Sequence, residues 1–158
     1  MHKIIRTAAM ATLLAAALLL TACGKDTTTE NGAVDLKAVS ETLLDDIAFT
    51  DDLALIDDGT VTVLYGIDNA EEQYVYIGSG ATPEEIALFC FATEADAEAG
   101  FALAEMRVAD QKEAFSDYNS WEMPKLDAAV VKQYGTTVAL CISPDADAAA
   151  ALLDEQLG

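Results

Sequence analysis

From Asp35 onward, apolar residues recur with two different periods. Leu36, Val39, Leu43 and Ile47 fall three to four apart, with Lys37, Glu41 and Asp45 between them. That spacing predicts an amphipathic helix, capped by Asp35 and ending near Ala48. Residues 49–59 set Asp51, Asp52, Asp57 and Asp58 around Leu53, Leu55 and Ile56, as in a loop holding a short strand. Residues 61–66 fit an edge strand or a helical turn. Residues 74–77, Tyr-Val-Tyr-Ile, read as a strand, and 78–83 as turn punctuation before an apolar strand at 85–91. Thr93 then caps a helix with Asp96 as its capping-box partner. Ala97, Phe101, Ala104, Val108 and Phe115 mark its buried face as far as about Tyr118. After a break at 119–124, residues 128–134 and 136–142 form a hairpin about Gly135. Ser143 and Pro144 read as the cap and first turn of a last helix over 145–157.

Sliding the chain by 51 residues lays 87–97 over 138–148 without a gap, each a strand, a cap and an Ala-rich helix start. Duplication of a strand-strand-helix unit and shared strand-to-helix grammar both explain this. Either predicts an α+β fold: a four-stranded, mostly antiparallel sheet with helices packed on one face. Cys90 and Cys141 occupy matching slots, and strand alternation points them to the same face.

Upstream of the domain, Lys3 and Arg6 precede an apolar run over 8–20, then Leu20-Thr21-Ala22-Cys23. Positive, apolar, then small residues is the layout of a secretory signal. The run is too short for a comfortable span, which needs about 20 apolar residues. With Cys directly after the small residues, the stretch resembles the lipobox of bacterial lipoproteins. That resemblance implies a cut after Ala22 and a diacylglycerol and acyl modification on Cys23; a plain signal or an uncleaved anchor is the alternative. The expected organisation is a signal at 1–22, a lipidated Cys23 and flexible tether over 23–34, and one domain over 35–158. Ten tether residues reach about 15–20 Å at coil dimensions.

Cleavage before Cys23 changes the composition. It leaves 136 of 158 residues, with six basic residues against 28 acidic ones, a formal charge of −22. Such a field repels nucleic acid, so a nucleic-acid partner is excluded; the plain reading of the charge is solubility, and the sharper one is divalent-cation binding or a basic partner. The cut also removes His2, the only histidine. Ser-His-Asp and Cys-His catalysis and histidine-ligated metal go with it. Cys90 and Cys141 either pair as a disulfide outside the cytoplasm or stay as two buried thiols, and the second is preferred.

Few constellations suggest chemistry. Gly78-Ser79-Gly80-Ala81 lacks the lysine and helix of a phosphate loop and reads as a tight turn. An EF-hand starting at Asp145 fails at Ala149, Ala150 and Gln156. The aspartates at 51, 52, 57 and 58 are expected to face water. Glu84 and Glu85 could supply a carboxylate pair for glycoside hydrolysis, but adjacent strand residues point to opposite faces. No metal and no cofactor beyond the lipid is expected. Phe115, Tyr118 and Trp121 cluster at the end of the long helix, and Tyr118 and Trp121 are the candidate partner patch.

Several short motifs follow in order: Asp35-Leu36, Leu64-Tyr65-Gly66-Ile67-Asp68, Val75 to Ala81, Glu85-Ile86-Ala87, Tyr118, and Ala129-Val130-Val131-Lys132 before Gly135. Together they resemble the domain of unknown function 4358 family. The resemblance implies a Gram-positive, lipid-anchored protein on the outer face of the cytoplasmic membrane, and it carries no activity or site residues. The expected function is a non-enzymatic binding or accessory module whose partners are the membrane, through its anchor, and an unknown protein or small molecule. The alternatives are a small carboxylate-based cell-wall hydrolase and a structural assembly factor.

Overall fold

The computed structural model describes residues 34–158. Leu20, Thr21, Ala22 and Cys23, with nearly all of the expected tether, lie outside the described residues. Helix α1 (Leu36–Asp46) starts where expected, the Asp35 carboxylate accepting from the Ala38 N–H at 3.0 Å. Strand β1 is only Ala54–Leu55. Of residues 61–66, which fit either an edge strand or a helical turn, 61–65 belong to helix α2 (Asp58–Tyr65) and Gly66 is its C-cap. Val61, Thr62 and Val63 favour a strand, but the ends of the segment decide. Asp57 caps the Thr60 N–H at 3.1 Å, and Gly66 closes the helix at φ +70°, where a side chain is strained.

The remaining elements are β2 (Glu72–Ile77), β3 (Glu85–Cys90), α3 (Glu94–Tyr118), a 3-10 turn (Ser120–Glu122), α4 (Met123–Asp127), β4 (Val130–Tyr134), β5 (Thr137–Ile142) and α5 (Ala146–Leu157). Thr93 caps α3 with Asp96 as predicted. The expected Ser143–Pro144 cap is corrected: Asp145 caps α5, accepting from the Ala148 N–H at 3.0 Å, and Ser143 is buried.

Every pairing in the sheet is antiparallel, in the order β1-β2-β3-β5-β4. The sheet therefore has five strands, where four were expected; the extra one pairs Ala54 and Leu55 with Ile77 and Tyr76. The helices also do not share one face. Helices α2, α3 and α4 cover the face carrying Val75, Ala87, Phe89, Val138 and Leu140. Helices α1 and α5 cover the other, carrying Ile86, Leu88, Ala139 and Cys141. The reason is in the central strands. β3 and β5 are apolar at successive positions rather than alternate ones, and such strands need cover on both sides.

The offset of 51 residues matches strand faces but not helices. Phe89 and Leu140 share one face, and Cys90 and Cys141 the other, yet α3 and α5 pack on opposite sides. A two-fold axis relating antiparallel strands would keep both helices on the same side. What repeats is the strand-to-cap grammar.

The register gives the sheet two ends. Ile77, Glu85, Ile142 and Val130 lie toward one, and Glu72, Cys90, Thr137 and Tyr134 toward the other. Helix α3 starts near the second end, where the Glu94 carbonyl accepts from Gln133, and approaches β3 closely at Gly100. A Cβ there would stand 2.3 Å from Cζ of Phe91. At 1.5 Å per residue, 25 residues run about 37 Å, against about 20 Å for a six-residue strand. Arg107 and Gln111 already reach Glu85, so the last two turns of α3 project past the sheet. The described chain begins toward the Glu72 end, where Asp35 and Lys37 act on Tyr74.

Candidate functional site

The projecting end of the molecule holds the two buried carboxylates among the described residues. Glu84 and Glu85 are each 1% exposed and lie at the start of β3. Strand alternation sends them to opposite sides, as their adjacency requires, and each has its own set of partners.

Glu85 faces the α3 layer. It accepts from the Tyr65 hydroxyl, from Nη2 and Nε of Arg107 at 2.9 and 3.3 Å, and from Nε2 of Gln111 at 2.6 Å. The Arg107 guanidinium also lies over the Tyr65 ring, 5.8 Å from its centroid. Burial, reinforced by the negative charge of Glu85, holds the Tyr65 hydroxyl well above its usual pKa. Burial opposes the charge on Arg107, but bonding to Glu85 outweighs it and raises its pKa.

Glu84 faces the loop after α1. It accepts from the Thr50 N–H and Asp51 N–H at 2.8 and 2.9 Å, the Thr50 hydroxyl at 2.6 Å and Nζ of Lys125 at 2.7 Å. Burial pushes the Glu84 carboxyl up, yet Lys125 and these donors hold it below the ordinary glutamate range. Lys125 also pairs with Glu122 at 2.7 Å and reaches the Thr50 hydroxyl at 3.0 Å. Burial lowers its pKa; Glu122 and Glu84 more than restore it, and the net shift is upward.

A cleft of about 240 Å³ opens beside these groups, between turn 78–83 and α3. Asp51 pins the turn, accepting from the N–H and hydroxyl of Ser79 at 2.7 Å each. Gly80 sits in it at φ +89°, a conformation glycine adopts without strain. Gly78-Ser79-Gly80-Ala81 is thus a turn forming one wall of the cleft. Of the other aspartates in the stretch, Asp57 caps α2 and Asp58, its first residue, accepts from Gln73 at 2.9 Å. Among the described residues, no group of three or more acidic, histidine or cysteine side chains is placed to hold a metal ion.

The aromatic pair lies on the same end. Trp121, in the 3-10 turn, is 90% exposed, and Tyr118 is 71% exposed. Tyr118 packs edge-on against Phe115, with ring centroids 5.9 Å apart, and Phe115 lines the cleft. The cysteines lie elsewhere. Both thiols are free, Cys141 opposite Ile86 and Cys90 opposite Thr137. Four register steps separate them, about 13 Å along the strands, beyond disulfide reach. Burial pushes the Cys141 thiol up to about 12, leaving it inert as a nucleophile.

Sequence reasoning missed Tyr65, Arg107, Gln111 and Lys125 as members of this site. One signal was present: Gln111 interrupts the apolar stripe of α3 between Val108 and Phe115. A polar residue at a core position needs a buried partner.

These features define a class: a three-layered α+β domain with two buried, oppositely directed glutamates where its central strand begins. The chain belongs to the family described as Domain of unknown function (DUF4358), whose family model matches residues 45–143. The match runs from the end of α1 through β5. No curated protein and no solved structure matches the chain.

Proposed function

We propose that this protein is a non-enzymatic binding module, held by lipid on Cys23 at the outer face of the cytoplasmic membrane of a Gram-positive cell. The observation that carries the binding reading is Trp121. A lone tryptophan left 90% exposed, beside a Tyr118 that is 71% exposed, is the kind of surface that partners bury. The pair stands on the projecting end of α3, away from the Glu72 side where the described chain begins. A tether leaving from that side presents Trp121 outward rather than to the lipid. The anchor rests on the order of Lys3, Arg6, the apolar run and Leu20-Thr21-Ala22-Cys23.

The alternative, a carboxylate-based hydrolase of wall glycans or peptides, needs two acids converging on one cleft. Glu84 and Glu85 diverge, and each is bound to a cation. Lowering the Glu84 pKa is also the opposite of what a general acid requires. This favours binding over hydrolysis.

Crosslinking on intact cells, followed by affinity recovery and mass spectrometry, tests the proposal. The wild-type chain is expected in the membrane fraction with one stoichiometric partner. Cys23→Ala should release the chain from that fraction, and Trp121→Ala should keep it there without the partner. A Cys23→Ala chain still labelled by lipid sinks the anchor; a partner retained by Trp121→Ala sinks the contact surface.

A further inference from the structure

The cleft beside Glu85 has features that neither the glutamate networks nor the aromatic pair explains. Its volume of about 240 Å³ falls below the roughly 300–1,000 Å³ of clefts that enclose whole small molecules. It has room for about one side chain. Ile77, Pro83, Ala114 and Phe115 supply apolar wall. Gln111 is 7% exposed and lines the cleft, with its Nε2 committed to Glu85. Among the described residues no donor reaches its Oε1. Arg107, also lining the cleft, is committed to Glu85 through Nε and Nη2. Asp110 lines the cleft, is exposed and has no cation bound to it among the described residues.

Charge selects what enters. The described residues carry five basic side chains, Lys37, Arg107, Lys112, Lys125 and Lys132, and every one is already bound to a carboxylate. An anionic ligand finds no free cation on this surface. A cationic one finds Asp110 in the field of a strongly acidic domain. Phe115 lines the cleft and packs against Tyr118, which puts Tyr118 next to the cleft, and Trp121 follows three residues on in the 3-10 turn.

We infer that this cleft is an anchor pocket for one lysine or arginine side chain of a polypeptide lying across Tyr118 and Trp121. The inference rests on the binding-module reading and adds the chemistry of the partner. Asp110 meets the cationic head, and Phe115 and Ala114 pack its methylenes. Gln111 Oε1 accepts a hydrogen bond from the peptide.

The single tryptophan supplies the readout, since any change in its emission comes from this surface. The purified full chain is titrated with end-blocked alanine pentapeptides whose central residue is lysine, acetyl-lysine or glutamate. The lysine peptide is expected to bind about tenfold or more tighter than the acetyl-lysine peptide, and the glutamate peptide least. Asp110→Asn, at an exposed position, should weaken the lysine peptide about tenfold and leave the acetyl-lysine peptide unchanged. Equal binding of lysine and acetyl-lysine peptides, no effect of Asp110→Asn, or no response to any peptide overturns the anchor pocket. So does spermidine competing as well as the lysine peptide, which would make the ligand a free polyamine. These outcomes leave the cell crosslinking result untouched, whereas a missing partner there removes the binding module itself.

Discussion

Glu84 and Glu85 are neighbours in sequence, equally buried, and opposite in how they are held. Glu85 is gripped by side chains of α2 and α3, on the face where the domain packs its aromatic core. Glu84 is held largely by backbone N–H groups of a loop, with Lys125 reaching it from α4. The contrast separates two ways of keeping a carboxylate out of water. One depends on side chains, Tyr65, Arg107 and Gln111, which lose their common acceptor if the acid is lost. The other depends mainly on main-chain donors, with a lysine whose side chain is as exposed as that of Arg107, 17% in each. Removing the acid is costlier in the first case, where three side chains lose one shared acceptor.

Removing the Glu85 side chain should therefore have the largest effect. Glu85→Ala leaves Arg107, Tyr65 and Gln111 without their common acceptor, and a loss of about 3–5 kcal/mol in denaturant unfolding is expected. A loss no greater than that of the Glu84 variant below would erase the distinction between the two sites.

Glu84→Gln should cost less, about 1–3 kcal/mol, because a neutral acceptor still serves the loop N–H groups. Its signature is in the pH dependence. The folded carboxyl is held below its unfolded value, so its contribution is fully present above the ordinary glutamate range and disappears as pH falls through the lower folded value. The variant should thus lose most stability at neutral pH and converge with wild type in acid. Parallel curves across that range would mean that Glu84 is not held as an anion by its partners.

Lys125→Met should be the mildest, about 1–2 kcal/mol in the same unfolding measurement, since Thr50 and Asp51 continue to hold Glu84. A cost matching Glu85→Ala would show that the lysine, not the loop, holds that carboxylate.

How much of this was legible beforehand varied with the length of the signal. The cap residues Asp35 and Thr93 and the hairpin turn at Gly135 are local chemistry, and their elements form as read. Strand β1 carries too little pattern, because two residues set no period. The two-faced sheet was written in the unbroken apolar runs of β3 and β5, though the helix faces do not say which helix takes which side. Helix α2 was obscured because β-branched residues outvoted its caps. At the site, the divergence of Glu84 and Glu85 follows from strand alternation alone. That Arg107 and Lys125 turn inward to meet them does not, since ion pairing across 22 and 41 residues of chain leaves no local mark.

Lys125 joins three segments remote in sequence: the loop at Thr50, the start of β3 at Glu84 and the 3-10 turn at Glu122. Held by one ammonium group, they are expected to open as one cooperative unit. The amide protons of Thr50 and Asp51 would then exchange with solvent at the rate at which that unit breathes. The turn that carries the exposed Trp121 is fastened into the same unit through Glu122 and meets a partner already ordered, with little conformational entropy left to lose on contact.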